Sequence, residues 1–256
     1  MGNKKQDRGY FVVKANDLIR KTRYDLTTQQ QKLVLYCISK IKPNDDYGRW
    51  FEINIDDICN ACNFDYKSGS YYYKAIKEDL QKLTTRLWVE MPDKSLRTVS
   101  WISDAQIIPL SGKIYIKFHP QMAPYLFDLH ERYTQYQLQD VLVFKGKYAI
   151  RLYEILRSYM TQLEIEYGIE REITIMLDEL RYILSVDGYK EYKDFKKYVL
   201  NKAVEEINNY NESFHISYRG VAGRGGKKID RIIFKMEFPR PLEMLNALRN
   251  KRTRLE

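Results

Sequence analysis

One arrangement of residues occurs twice in this chain. Residues 51–87 read FEINIDDICNACNFDYKSGSYYYKAIKEDLQKLTTRL, and residues 173–207 read ITIMLDELRYILSVDGYKEYKDFKKYVLNKAVEEI. Each copy runs through a short alternating strand, an acidic turn, a short helix and a long amphipathic helix. A chain that repeats a unit of this size is constrained to fold as two similar modules. Both long helices carry lysines on their polar face, so the repeat also sets out two basic surfaces.

In the first copy Phe51, Ile53 and Ile55 alternate as a strand, and Asp56 and Asp57 suit the cap of the helix that follows. Helix 70–87 places Tyr72, Ile76, Leu80, Leu83 and Leu87 on one stripe and Lys74, Lys77 and Gln81 on the opposite face. Segments 88–91, 97–108 and 113–118 then read as a three-stranded sheet or long hairpin leaning on that helix. In the second copy Ile173, Ile175 and Leu177 form the strand, Asp178 and Glu179 open the short helix, and Gly188 marks the turn. The long helix, about 191–209, has a core stripe of Phe195, Val199, Ala203 and Ile207. Lys190, Lys193, Lys197 and Asn201 lie on another face. A glycine-rich tip carrying Arg219, Arg224, Lys227, Lys228 and Arg231 joins strands 214–218 and 232–238. Between 215 and 235 there are six Lys or Arg and one acid, Asp230.

Three helices followed by a β-hairpin describe a winged helix, a helix-turn-helix variant whose third helix enters a major groove. The expected class is α+β, with two tandem winged-helix domains related by a pseudo-two-fold internal repeat. The expected organisation is a disordered stretch 1–11, a first winged-helix domain 12–130, a second 131–241 as the main DNA-binding domain, and a basic tail 242–256. The +9 formal charge suits a polyanionic partner. In this reading Lys190, Lys193 and Lys197 meet phosphates or guanine edges, and Asn201 is placed for the paired contact to adenine. The wing meets adjacent phosphates. The first module, with Glu78 beside its lysines and only Lys94, Arg97 and Lys113 on its wing, suits weaker DNA contact or a protein interface. Segments 99–108 and 122–129 are candidates for pairing two subunits.

Other chemistries find little footing. The three cysteines, Cys37, Cys59 and Cys62, are too few for a disulfide scaffold. The CxxC pair has no second pair to complete a zinc site, which fits a reducing cytoplasm. His119, His130 and His215 make neither HxH nor HExxH, so the many tyrosines lack the metal cluster a DNA-nicking tyrosine uses. No phosphate-cradling GxxxxGK[ST] is present. The sequence therefore offers no catalytic residue, metal or cofactor. No apolar run is long enough to span a bilayer, and MGNKKQDRGYF has no signal-peptide core.

The stretches VVKANDLIRKTRYDLTTQQQKLVLYCISKI (12–41), FEINIDDIC (51–59), YYYKAIKEDLQKL (71–83), KGKYAIRLYEIL (145–156), ITIMLDELRYIL (173–184) and FKKYVLNKAVEEIN (195–208), with the strand pair FHISY and IIFKMEF, occur in an order that resembles the Rep_3-type replication initiators of iteron-containing bacterial plasmids. The resemblance covers about 12–240. It implies tandem winged helices that bind directly repeated origin sequences, recruit host replication proteins and open DNA by binding rather than by hydrolysis. It also implies major-groove reading by the second module, and dimerisation through the first in a repressor form. A transcriptional repressor of the same fold and a tyrosine-dependent nicking initiator are the alternatives.

Overall fold

The structure, a computed structural model of the chain, describes residues 10–62, 70–90, 95–161, 164–165, 168–212, 214–223, 225–226 and 228–238. The chain divides into two units, Met1–Ile150 and Arg151–Glu256. The tail 242–256 and residues 1–9 of the expected disordered stretch lie outside the described residues.

The first unit opens with strand β1 (Phe11–Ala15), helix α1 (Asn16–Arg20) and strand β2 (Thr22–Arg23). Phe11, the last residue of the stretch expected to be disordered, already lies in β1. Helix α2 (Thr28–Ile38) starts at a capping box: the Thr27 side chain accepts from the Gln30 amide, and Gln30 returns the contact to the Thr27 amide. Residues 31–38 are buried all round, so this helix forms the middle of the unit's core. In β3 (Phe51–Asn54), Phe51 and Ile53 are buried while Glu52 and Asn54 face out, as the alternation requires. Helix α3 (Ile55–Cys62) begins at Asn54 rather than at the aspartates. The Asn54 carboxamide oxygen accepts from the Asp56 amide at 2.9 Å, and Asp56 and Asp57 sit in the first turn, where the helix dipole favours them.

Helix α4 (Ser70–Leu83) buries Ile76, Leu80 and Leu83. Leu87 continues their stripe from strand β4 (Arg86–Glu90), beyond the helix end. The single sheet expected across 88–118 is two sheets. One has the order β2-β4-β5 (β5, Leu96–Ser100), with β4 between the other two; the other has the order β3-β7-β6 (β6, Ile102–Ile108; β7, Lys113–Phe118), with β7 in the middle. The break falls at Trp101. Its amide donates to the Leu83 carbonyl, its carbonyl accepts from the His119 amide, and its ring is buried edge-on to Tyr24 at 5.2 Å. A buried aromatic at that point turns the chain out of one sheet and into the next. Helix α5 (Ala123–Leu126), strand β8 (Tyr133–Gln137) and helix α6 (Gln139–Leu142) complete the unit. Residues 131–150, expected to open the second domain, therefore belong to the first, because β8 pairs with β1 along its whole length. Met122, Leu126 and Phe127 are also spoken for. They are buried in this unit, with Phe127 against Phe51 and Phe118, and do not form an apolar outer surface.

The second unit is a winged helix in its order and pairing. Helix α7 (Lys147–Ser158), which contains the division between the units, is followed by β9 (Arg171–Met176) and α8 (Leu177–Ile183). Next comes a long helix, α9, which runs through Tyr192–Phe195, Lys196–Leu200 and Asn201–Tyr210. Strands β10 (His215–Ala222) and β11 (Ile229–Glu237) form the wing, and the antiparallel sheet has the order β10-β11-β9. The core gathers Leu152, Tyr153 and Leu156 of α7 with Leu180, Ile183, Phe195, Val199, Ile207 and Phe234. Tyr153 stacks on Phe214 at 5.6 Å.

The middle segment of α9, Lys196–Leu200, is a π-helical turn. The reason is legible in the core stripe. Phe195, Val199, Ala203 and Ile207 recur strictly every fourth residue, which in a straight α-helix drifts about 40° at each step and about 120° over three. A π-turn inserts about one extra residue and cancels most of that drift. The same adjustment holds Lys193, Lys197 and Asn201 in line.

Helix α9 lies along β10 through three ties to residues on one face of the strand. Asn208 pairs with the backbone of Ile216, accepting from its amide and donating to its carbonyl, each at 2.8 Å. The Tyr218 hydroxyl donates to Oδ1 of Asn201 at 2.5 Å. Gly220 leaves room for Tyr192: a Cβ there would lie 2.5 Å from the Tyr192 hydroxyl and 3.0 Å from Ile229. Two outcomes are expected in urea unfolding. Asn208→Ala, which strands both backbone groups of Ile216, lowers stability by about 1–3 kcal/mol. Gly220→Ala costs about 1–3 kcal/mol through overpacking, whereas Gly188→Ala, whose new methyl meets nothing within 4 Å, stays within about 0.5 kcal/mol of the parent. Equal effects at the two glycines would show that Tyr192 does not depend on the space at Gly220.

Candidate nucleic-acid interface

The outer face of α9 is basic and open. Lys193, Lys197 and Asn201 are exposed on it, and Lys190 is exposed just before it, as the sequence reading expected. The structure adds Lys196, Tyr198 and Lys202, also exposed. In an unbroken α-helix Lys196 would fall on the core face, about 100° from Phe195, so its exposure fits the π-turn; Tyr198 and Lys202 lie within about 100° of Asn201 on an ordinary helix, so their exposure needs no phase shift. None of Lys190, Lys193, Lys196, Lys197 and Lys202 forms an ion pair with a described residue. Their charge is available to an external anion.

Two tyrosines sit among these lysines. Tyr189 and Tyr198 stack at 5.2 Å with their planes 24° apart, although each is more than a third exposed. Tyr189 has φ of 53°, in the left-handed region that non-glycine residues seldom occupy. The Lys197 and Lys202 ammonium groups lie 4.9 and 5.7 Å from the centre of the Tyr198 ring. Such contacts hold flexible lysine heads near the helix surface. At the helix start, Arg181 donates to the Lys190 carbonyl at 2.9 Å and lies over the Phe195 ring, fixing the turn that carries Lys190.

The wing divides its cations. Arg219 and Lys228 are exposed. Arg231 is engaged within the wing: it pairs with Asp230 at 3.0 Å and donates to the Ala222 carbonyl. It braces the hairpin rather than projecting from it. Arg224 and Lys227 lie outside the described residues. Burial pushes the Tyr218 hydroxyl up to about 12, with Tyr192 nearby adding to the shift. Burial raises Tyr192 as well. Tyr218 thus keeps its proton at neutral pH and remains a donor.

The first unit presents a weaker version of the same surface. Lys74, Lys77 and Gln81 are exposed on α4, with Glu78 exposed between them. Asp79 is buried and accepts from Gln29 and Gln30, which ties α4 to the start of α2. On the β6–β7 wing Lys113 pairs with Glu52 at 2.8 Å, and Tyr115 donates to the same carboxylate. The lysine holds Glu52 below the usual carboxylate range, with Tyr115 contributing. The tip of that wing is apolar: Leu110 is 96% exposed with φ of 62°. Of the other wing cations noted in the sequence, Lys94 lies outside the described residues and Arg97 is exposed on β5. Cys62 is buried and its thiol is pushed up to about 12, so the CxxC pair does not present a thiolate.

Residues 11–157 match the family described as initiator replication protein, WH1, and residues 176–236 match initiator Rep protein, WH2. Among curated relatives, the chain is 27% identical over 252 residues to a replication initiation protein of Escherichia coli, covering 95% of this chain and 75% of that protein. It is 28% identical over 222 residues to the PI protein of Escherichia coli, covering 73% of this chain and 69% of that protein. Its fold is shared with the Pi initiator protein solved in complex with iteron DNA, at a TM-score of 0.72 and 20% identity over 91% of this chain and 99% of that one. With both winged-helix regions matched across most of its length, the chain belongs to the family of initiator replication proteins.

Proposed function

We propose that this initiator binds directly repeated double-stranded sequences at a plasmid origin, with α9 of the second unit in the major groove and the β10–β11 wing on the neighbouring backbone. The observation that carries this reading is the lysine face of α9, free of ion pairs to described residues and locked to its wing at three points. Lys190, Lys193 and Lys197 supply phosphate or guanine contacts, Asn201 reads a base, and Arg219 and Lys228 extend the interface along the wing. Arg224 and Lys227 belong to the same wing tip in sequence and are proposed to join it. Lys74, Lys77 and Gln81 make the weaker contact of the first unit, whose wing lysine is neutralised by its own Glu52. The Pi protein's complex with iteron DNA supports repeats of that kind as the target.

Binding then opens an adjacent AT-rich segment and recruits host replication proteins in the cytoplasm. The first unit pairs two copies when the protein acts as a repressor. Strand β5 suits that role, since it lies at the edge of its sheet and Leu96 on it is 55% exposed. Among the described residues no helix is long and apolar enough to cross a membrane.

Footprinting on the neighbouring origin should show protection repeating at a fixed interval. Permanganate should reveal unpaired thymines beside the repeats when the protein is added. Occupancy without unpaired thymines would favour the pure repressor. Lys193→Ala with Lys197→Ala should weaken binding to cognate and scrambled duplex alike. It should also reduce the slope of log K against log salt by about 2, one for each phosphate that is no longer neutralised. An unchanged slope would remove this helix from the DNA.

A further inference from the structure

The geometry of one hydrogen bond assigns a reading direction to Asn201. We infer that Tyr218 is a positioning residue that turns the Asn201 amide so that its NH2 group, not its oxygen, faces the DNA, and that Asn201 therefore reads a hydrogen-bond acceptor on a purine. The inference rests on the proposal that α9 enters the major groove.

A carboxamide has two unlike ends. An asparagine recognises adenine with both, its oxygen accepting from N6 and its NH2 donating to N7. That is the pairing expected from sequence. In the structure the Tyr218 hydroxyl donates to Oδ1 of Asn201 at 2.5 Å, from the wing strand behind the helix. Tyr218 is half-buried and its ring packs near Phe234 at 5.9 Å, a contact that restrains the ring from which the hydroxyl extends. Burial keeps it protonated, so it retains the proton with which it donates to the oxygen. The planar amide then carries Nδ2 at its other corner, on an exposed residue. The chemistry left to face a base is two N–H donors. Guanine offers two acceptors to the major groove, N7 and O6, and adenine offers one acceptor, N7, beside a donor that an NH2 group cannot satisfy. Guanine is thus the preferred partner, and N7 is the atom that both purines share.

The neighbouring ties keep this arrangement rigid. Asn208 binds Ile216 two residues before Tyr218, and Tyr192 packs on Gly220 two residues after it. The three ties fall at alternate residues of β10, one to the Ile216 backbone, one to the Tyr218 hydroxyl and one in the space at Gly220, and all are made by side chains of α9. The wing therefore acts on specificity from behind the helix, at a residue that need not touch DNA.

The test uses the full chain and selection from a randomised duplex library. The wild type should enrich a purine, guanine foremost, at one position, and 7-deazaguanine there should weaken binding about tenfold. Asn201→Ala should lose preference at that position only and become insensitive to the 7-deaza change. Tyr218→Phe frees the amide oxygen, so preference at that same position should broaden to admit adenine through N6. A merely structural role for Tyr218 would lower affinity at every position alike, and would overturn the assignment. So would a wild type that selects adenine there and is weakened when its N6 amine is removed. A wild type that enriches no sequence at all would instead overturn the DNA-reading proposal and this inference with it, whereas enrichment of a site with an unaltered Tyr218→Phe profile would overturn the inference alone.

Discussion

The packing of α9 on β10 is the constraint on which the second unit's surface depends. A helix whose outer lysines have no described ion-pair partner gains little stability from that side. Its position is set by what lies behind it: a core stripe ending in Ile207, and side chains that meet one face of the first wing strand. Asn208 completes the backbone hydrogen bonding of Ile216, Tyr218 reaches Asn201, and the absent side chain of Gly220 admits Tyr192. Helix and wing consequently form one rigid surface, and a rigid surface can hold several weak contacts in register along a duplex.

The two units show how the same plan can be tuned by compensation. In the second, the lysines of α9 have no described carboxylate at ion-pair distance, so desolvating them against phosphate displaces no described partner. In the first, the wing lysine Lys113 is already paired with Glu52; the helices themselves are alike in this respect, since acids stand near both sets of lysines, Glu78 on α4 and Glu191 and Asp194 at the start of α9. Exposed pairs of this kind contribute little to stability, but they cancel the local field that would attract DNA. A count of basic residues alone would miss such pairing, as at Arg231, a wing cation in sequence that is held within the hairpin by Asp230 and the Ala222 carbonyl.

Much of the fold was legible because hydrophobic period and repeat order are local properties. The alternation of Phe51 and Ile53 and the stripe of α9 appear where their spacing puts them. What the sequence left unread depends on distant partners. Nothing in residues 97–108 announces that the strand changes sheets at Trp101, since the groups that turn it come from Leu83, His119 and Tyr24. Likewise β8 is an ordinary polar strand until its partner, β1, is known. At the site, the exposed positions of Lys193, Lys197 and Asn201 followed from spacing, as those of Tyr198 and Lys202 could have, whereas Lys196 required the π-turn. A strict four-residue repeat was the available sign of that turn, because an α-helix cannot keep such a stripe straight.

The central claim is that the outer face of α9 lies against bases of the origin repeat. Photo-crosslinking tests it most directly: a photoreactive phenylalanine analogue replaces Lys197 in one preparation and Glu172, exposed on β9, in another, each irradiated on a duplex carrying one repeat. The account predicts crosslinks from position 197 to bases within the repeat and none from position 172. Crosslinks from 172 with none from 197 would place the other side of the unit on the DNA and contradict it.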